Sequence, residues 1–164
     1  RLAGAEFTLA PKNGDAMSFV QVTAGSATEN AVYRVAKDDE TGTTTTITTP
    51  ANGKVVFQGL KNGEYTLTET KAPAGYNKLA SALGVKVDGL NDGTDTTDAT
   101  VHITYNNDNG SKYDQTASNG VIPVQNKSGV ILPGTGGMGT IAFTVIGVLV
   151  IALGVAWTLK RKNA

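Results

Sequence analysis

Through residue 127 the chain alternates between apolar and polar side chains. The alternation is clearest in Ala5–Leu9, Phe19–Thr23, Ala31–Ala36, Thr44–Thr48, Lys54–Gln58, Glu64–Thr70, Gly84–Val87, Thr100–Tyr105 and Val121–Asn126. A strand points successive side chains to opposite faces, so each stretch predicts a strand with one face toward a core. Between them stand Asn52-Gly53, Asn62-Gly63, Asp88-Gly89, Asp92-Gly93 and Asn109-Gly110, dipeptides that suit turn positions with positive φ. Only Tyr76–Leu83 has room for a short helix. Many short strands over about 125 residues predict an all-β fold, an antiparallel β-sandwich.

The pattern breaks near residue 128. Ser128-Gly129-Val130-Ile131 leads into Leu132-Pro133-Gly134-Thr135-Gly136-Gly137. Met138–Leu159 then runs 22 residues without a charge, and Lys160, Arg161 and Lys162 follow at once. As a helix that run would be about 33 Å long, enough for a bilayer core of about 30 Å. A cationic stop places the end of such a span in the cytoplasm, with Trp157 near the boundary. The expected layout is therefore a β domain over 1–127, a linker and motif over 128–137, a transmembrane helix over 138–159 and a basic tail over 160–164. The β domain would lie outside the cell.

Composition removes several function classes. Lys plus Arg is 14 and Asp plus Glu is 14, so the net charge is zero and no basic excess draws nucleic acid. Cys is absent, which excludes a disulfide framework, a thiolate metal site and a cysteine nucleophile. With His102 as the single histidine, a histidine-rich metal cluster is excluded as well. No cofactor is expected. Asp38-Asp39-Glu40 reads as a solvated turn, and Asp88, Asp92, Asp95 and Asp98 lack calcium-loop spacing. The 23 threonines fit a β-rich domain.

Leu132-Pro133-Gly134-Thr135-Gly136, followed by an apolar span and a basic tail, resembles the LPXTG cell-wall sorting signal of Gram-positive surface proteins. Each part has a physical task. Pro133 fixes φ, the glycines allow close backbone approach, and the span holds the chain at the outer membrane face. The resemblance implies that a sortase cuts between Thr135 and Gly136. An amine from a peptidoglycan precursor or a pilin lysine would then take the acyl group.

A second resemblance covers most of the domain. Leu2-Ala3-Gly4-Ala5-Glu6-Phe7-Thr8-Leu9 looks like the opening of a Cna protein B-type domain, as in SpaA-type pilins. Tyr65-Thr66-Leu67-Thr68-Glu69-Thr70-Lys71-Ala72-Pro73-Ala74-Gly75-Tyr76 looks like that family's E-box, and Val124-Gln125-Asn126-Lys127 like its last strand. The family implies an isopeptide bond between a first-strand lysine and an asparagine such as Asn126, promoted by a buried carboxyl such as Glu69. Strand phase agrees in part: if Leu67 and Val124 face the core, so do Glu69 and Asn126. A carboxyl group in an apolar core holds its proton more tightly. It could donate to the Asn126 carbonyl and relay protons while a neutral amine attacks. The lysine itself has no counterpart, since only Arg1, Leu2 and Ala3 precede Gly4 and Lys12 lies beyond the opening. The domain is therefore expected to lack its first strand and to leave an open edge beside its last one.

The expected function is that of a wall-anchored structural protein, a pilin or fimbrial subunit that is a sortase substrate and not a turnover enzyme. Its partners would be sortase, the cell wall, the membrane before cleavage and other pilin subunits. Two alternatives stay open: an adhesin for a host ligand, or the stalk and anchor of a surface hydrolase with an upstream catalytic domain.

Overall fold

The computed structural model describes residues 2–89, 102–106, 115–116, 121–129 and 144–150. Eleven strands are described: β1 (Glu6–Pro11), β2 (Phe19–Thr23), β3 (Ala31–Val35), β4 (Ile47–Thr48), β5 (Val55–Gln58), β6 (Gly63–Lys71), β7 (Leu83–Asp88), β8 (His102–Tyr105), β9 (Gln115–Thr116), β10 (Val121–Lys127) and β11 (Thr144–Val150). They form two sheets, ordered β4-β1-β6-β7-β8-β9 and β10-β11-β5-β3-β2.

The alternation sorts the side chains. Phe7 and Leu9 of β1, Tyr65 and Leu67 of β6, and Val85 and Val87 of β7 are buried from the first sheet. Phe19, Tyr33, Phe57, Ile122 and Val124 are buried from the second, all in one core cluster. Their neighbours in sequence turn outward, as the period of two requires. Phe19 and Phe57 meet with ring centroids 5.5 Å apart. The Tyr33 hydroxyl accepts from Gln21 Nε2 at 2.9 Å and from the Thr48 backbone N–H at 3.0 Å. That second bond ties β3 to β4 across the core.

The first sheet is antiparallel throughout, as expected. The second is mixed, because β3 and β5 run parallel, as do β11 and β5. The chain leaves β3, crosses to the other sheet as β4 and returns as β5. Such a crossover brings a strand back in the same direction. Thr44–Thr48 is shorter than expected, a strand only at Ile47–Thr48, while Thr44 makes a single bridge to Phe19. Gly63 opens β6 and is not a turn residue. Tyr76–Leu83 holds no helix; Tyr76 bridges to Ser128 and Leu83 begins β7.

Residues 144–150 depart furthest from expectation. The helix foreseen over 138–159 is a strand in its described part, paired with β10 along seven positions from Val121↔Val150 to Lys127↔Thr144. Among the described residues no helix is long and apolar enough to cross a membrane. The reason lies in the segment itself. A run that is apolar at nearly every position has no period to select helix over strand, and Thr144-Val145-Ile146 with Val148 and Val150 suits a pleated surface. The strand fills the edge beside β10 that was expected to stand open.

Candidate functional site

Glu69 and Asn126 come from opposite sheets. On β6, Tyr65, Leu67 and Glu69 face inward; on β10, Ile122, Val124 and Asn126 do. Glu69 is 2% exposed and Asn126 3%, so the two side chains that strand phase placed inward meet between the layers. The other buried polar side chains among the described residues are Thr49 and Asn52, and both are hydrogen-bonded away from this pair. Thr49 Oγ1 donates to the Leu2 carbonyl and accepts from the Ala5 N–H, while Asn52 joins Asn30 to the Lys54 N–H. Glu69 is thus the one buried carboxyl among the described residues.

The pair is closely coupled. Asn126 Nδ2 donates to Glu69 Oε1 at 2.7 Å and Oε2 at 2.8 Å, and to the Asn77 carbonyl at 3.0 Å. A primary amide has two N–H bonds. One is shared across the carboxylate and the other is taken by Asn77. Because a backbone carbonyl can only accept, Asn77 fixes which end of the amide faces Glu69. The nitrogen does so, in contrast to the expected contact between the carboxyl and the Asn126 carbonyl. Leu79 N–H completes the carboxylate at 2.7 Å.

The segment after β6 builds the roof of this site. Pro73–Tyr76 forms a turn closed by Tyr76 N–H to the Pro73 carbonyl at 3.1 Å, with Gly75 at φ 82°. Positive φ at the third position is the type II arrangement that favours glycine. The chain then lies along the end of β10. Asn77 N–H donates to the Lys127 carbonyl at 2.9 Å and Gly129 N–H to the Gly75 carbonyl at 2.8 Å. Asn77 and Leu79 were not foreseen as site residues. They act through backbone groups, which every residue carries, so only Gly75 marked the bend that delivers them.

Chemically, a carboxyl at 2.7–2.8 Å from the amide nitrogen can take a proton from an attacking amine and hand one to the departing nitrogen. It would serve the leaving group directly. The attacking amine is a separate matter: among the described residues no lysine is a hydrogen-bond partner of Glu69 or Asn126. Lys12 pairs with Glu64, Lys71 with Glu6 and Lys86 with Asp88.

The acidic run 38–40 is a different structure. Asp39 sits at φ 61°, and Glu40 folds back so that Arg34 grips both its oxygens, at 2.6 and 3.1 Å. Those hydrogen bonds, helped by the Lys37 N–H, bring the Glu40 carboxyl down to about 2. The run is a pinned turn after β3. The sorting-motif residues Leu132, Pro133, Gly134, Thr135 and Gly136, and the tail residues Lys160, Arg161 and Lys162, lie outside the described residues.

Comparison with known families gives two matches. Residues 1–102 match the SpaA family, described as a prealbumin-like fold domain. The chain belongs to the SpaA family. Residues 125–164 match the LPXTG cell wall anchor motif. No curated protein and no solved structure matches this chain. The SpaA match ends before β10, and the anchor match begins at Gln125. Asn126 therefore falls within the anchor match, on the strand that completes the site and leads toward the motif. Together the matches define a cell-wall-anchored surface protein of a Gram-positive bacterium, with an LPXTG motif that implies sortase processing and linkage to peptidoglycan.

Proposed function

We propose that this SpaA-family chain is the anchor-bearing part of a pilin or fimbrial subunit, joined to the wall through Thr135. The supporting observation is the buried Glu69–Asn126 pair in a domain whose strand β10 leads to the motif, with Leu132 six residues after Asn126. Before processing, residues 138–159 span the membrane as a helix, with Lys160, Arg161 and Lys162 held on the cytoplasmic side. The sortase thiolate attacks the Thr135 carbonyl, and the Thr135–Gly136 bond breaks as the Gly136 amine leaves. An amine of a peptidoglycan precursor or of another pilin then displaces the thiolate.

In the complete protein, Asn126 is the isopeptide acceptor. A lysine amine carried by a strand ahead of Gly4 attacks the Asn126 side-chain carbon. The new C–N bond forms, the Cγ–Nδ2 bond breaks and ammonia leaves, with Glu69 passing the proton from the incoming to the departing nitrogen. Such a bond resists reduction and mechanical extension, which suits a surface fibre without cysteine.

Mass spectrometry of protein released from the wall tests the anchoring step. A final peptide ending at Thr135 plus a bridging group is expected, and Thr135→Ala leaves the protein in membrane or medium. Recovery from the wall of chains running to Ala164 would overturn it. The isopeptide step is read separately, as a domain one ammonia lighter than its sequence when the upstream segment is present, and of full mass in Glu69→Ala.

A further inference from the structure

β11 is the second strand of its sheet, between β10 at the edge and β5. Without it the second sheet falls into β5-β3-β2 on one side and β10 on the other. Among the described residues β10 has no other strand neighbour. Its remaining backbone ties are the Tyr76–Ser128 bridge and the bond from Asn77 N–H to the Lys127 carbonyl. Yet β10 cannot simply slide toward β5. Neighbouring strands lie about 4.8 Å apart, so β10 and β5 are separated by about twice that, and Ile122 and Val124 lock β10 to the core at 0% and 4% exposure. The gap is one strand wide. Its occupant must run antiparallel to β10 and parallel to β5, as β11 does.

The place of β11 in the chain matters for processing. β10 ends at Lys127 and β11 begins at Thr144, so the motif Leu132–Gly136 lies in the connection between two paired strands. A cut between Thr135 and Gly136 leaves β10 with the domain and removes β11 from the chain. The same residues cannot be a sheet strand and part of a bilayer-spanning helix at once. A strand held by one flank of seven pairings and one shorter parallel flank is one the membrane can compete for.

We propose that residues 144–150 are a detachable strand of this domain: outside the bilayer they complete its sheet, and their departure opens a strand-wide slot between β10 and β5. The slot takes an extended segment by main-chain pairing, the mode of β-strand addition, and residues 144–150 are its resident. Departure has two routes, insertion into the membrane and cutting at Thr135–Gly136. Both routes rest on the reading given under Proposed function, whereas docking of the strand between β10 and β5 does not. Either route exposes the edge of β10 next to Asn126.

The natural absence of cysteine makes a disulfide trap specific. In the full chain, Gln125→Cys with Ile146→Cys joins residues that face each other in the register. Gln125→Cys with Leu149→Cys is three residues out of register, about 10 Å further along the strand and beyond disulfide reach. The full chain in detergent-free buffer is oxidised with glutathione. The in-register pair is expected to cross-link at least tenfold faster than the displaced pair, and reconstitution into lipid nanodiscs should abolish that preference. Equal rates for the two pairs in buffer would overturn the proposal, as would a preference that persists unchanged in nanodiscs. Cross-linking needs no sortase, so failure of the cut and failure of strand docking are distinguishable. After sortase treatment of the chain carrying the in-register pair, the anchor fragment should stay attached until reductant is added. Amide exchange in β10 should then quicken at least tenfold, and unchanged exchange would equally count against a detachable strand.

Discussion

Replacing Asn126 by alanine removes the donor that three acceptors share. Glu69 would keep only the Leu79 N–H at 2.7 Å, and the Asn77 carbonyl would lose its 3.0 Å bond. A buried polar group left short of partners costs about 1–3 kcal/mol. Two such groups, with some relaxation, give about 3 kcal/mol in all. Urea unfolding followed by far-ultraviolet circular dichroism reads this directly. With a denaturant slope of about 1–3 kcal/mol per molar, the midpoint should fall by about 1–3 M at unchanged slope. Asn126→Asp sharpens the test, because it places two carboxyl groups where the amide now sits at 2.7–2.8 Å. Both cannot ionise at that distance, so one is held protonated well above the usual carboxylate range. A group whose folded-state value is raised contributes stability below its unfolded value and loses it as pH rises through the folded value. The Asn126→Asp variant should therefore approach the parent near about pH 4 and fall well below it at about pH 8. A midpoint change under about 0.3 M for the alanine variant, or a pH-independent defect for the aspartate one, would show that the pair is not buried and coupled as described.

Other perturbations test the frame around the site. Arg34→Ala should let the Glu40 carboxyl, now at about 2, return toward its ordinary 4.5, as a carboxyl NMR titration would register. Because the folded value is depressed, the stabilisation from this contact is present above 4.5 and is lost as pH falls toward 2, and the variant should lack that acid-sensitive component. Leu67→Ala, at a fully buried position, should cost about 2–5 kcal/mol in the same urea assay. Gly75→Ala and Gly25→Ala separate strain from crowding. Both glycines have positive φ, but a Cβ at Gly75 meets nothing within 4 Å, whereas one at Gly25 would come to 2.5 Å from the Ala31 nitrogen. The first should cost about 1 kcal/mol, and the second about 3 kcal/mol, with crowding added to strain.

Much of the domain was legible because a strand has a period of two. Alternation is a local property, so it located the inward residues of most strands without any knowledge of their neighbours. It put Leu67 with Glu69, and Val124 with Asn126, on single faces, and a buried carboxyl beside a buried amide followed once both faces were inward. The anchor was legible for a related reason: motif, uncharged run and basic stop act in order along the chain.

What alternation cannot specify is which strand lies beside which. That depends on contacts between residues far apart in sequence, and only the assembled sheets show β6 and β10 in opposite layers, β3 and β5 parallel, and β4 paired with β1. The direction of the Asn126 amide was likewise a tertiary decision, made by the Asn77 carbonyl across 49 residues. Residues 144–150 mark the limit most plainly. An apolar run carries hydrophobicity without a period, and it can satisfy its backbone within a helix in lipid or against β10 and β5 in water. The amino acids determine that this segment must be buried. The partner available to it determines whether it is buried as helix or strand.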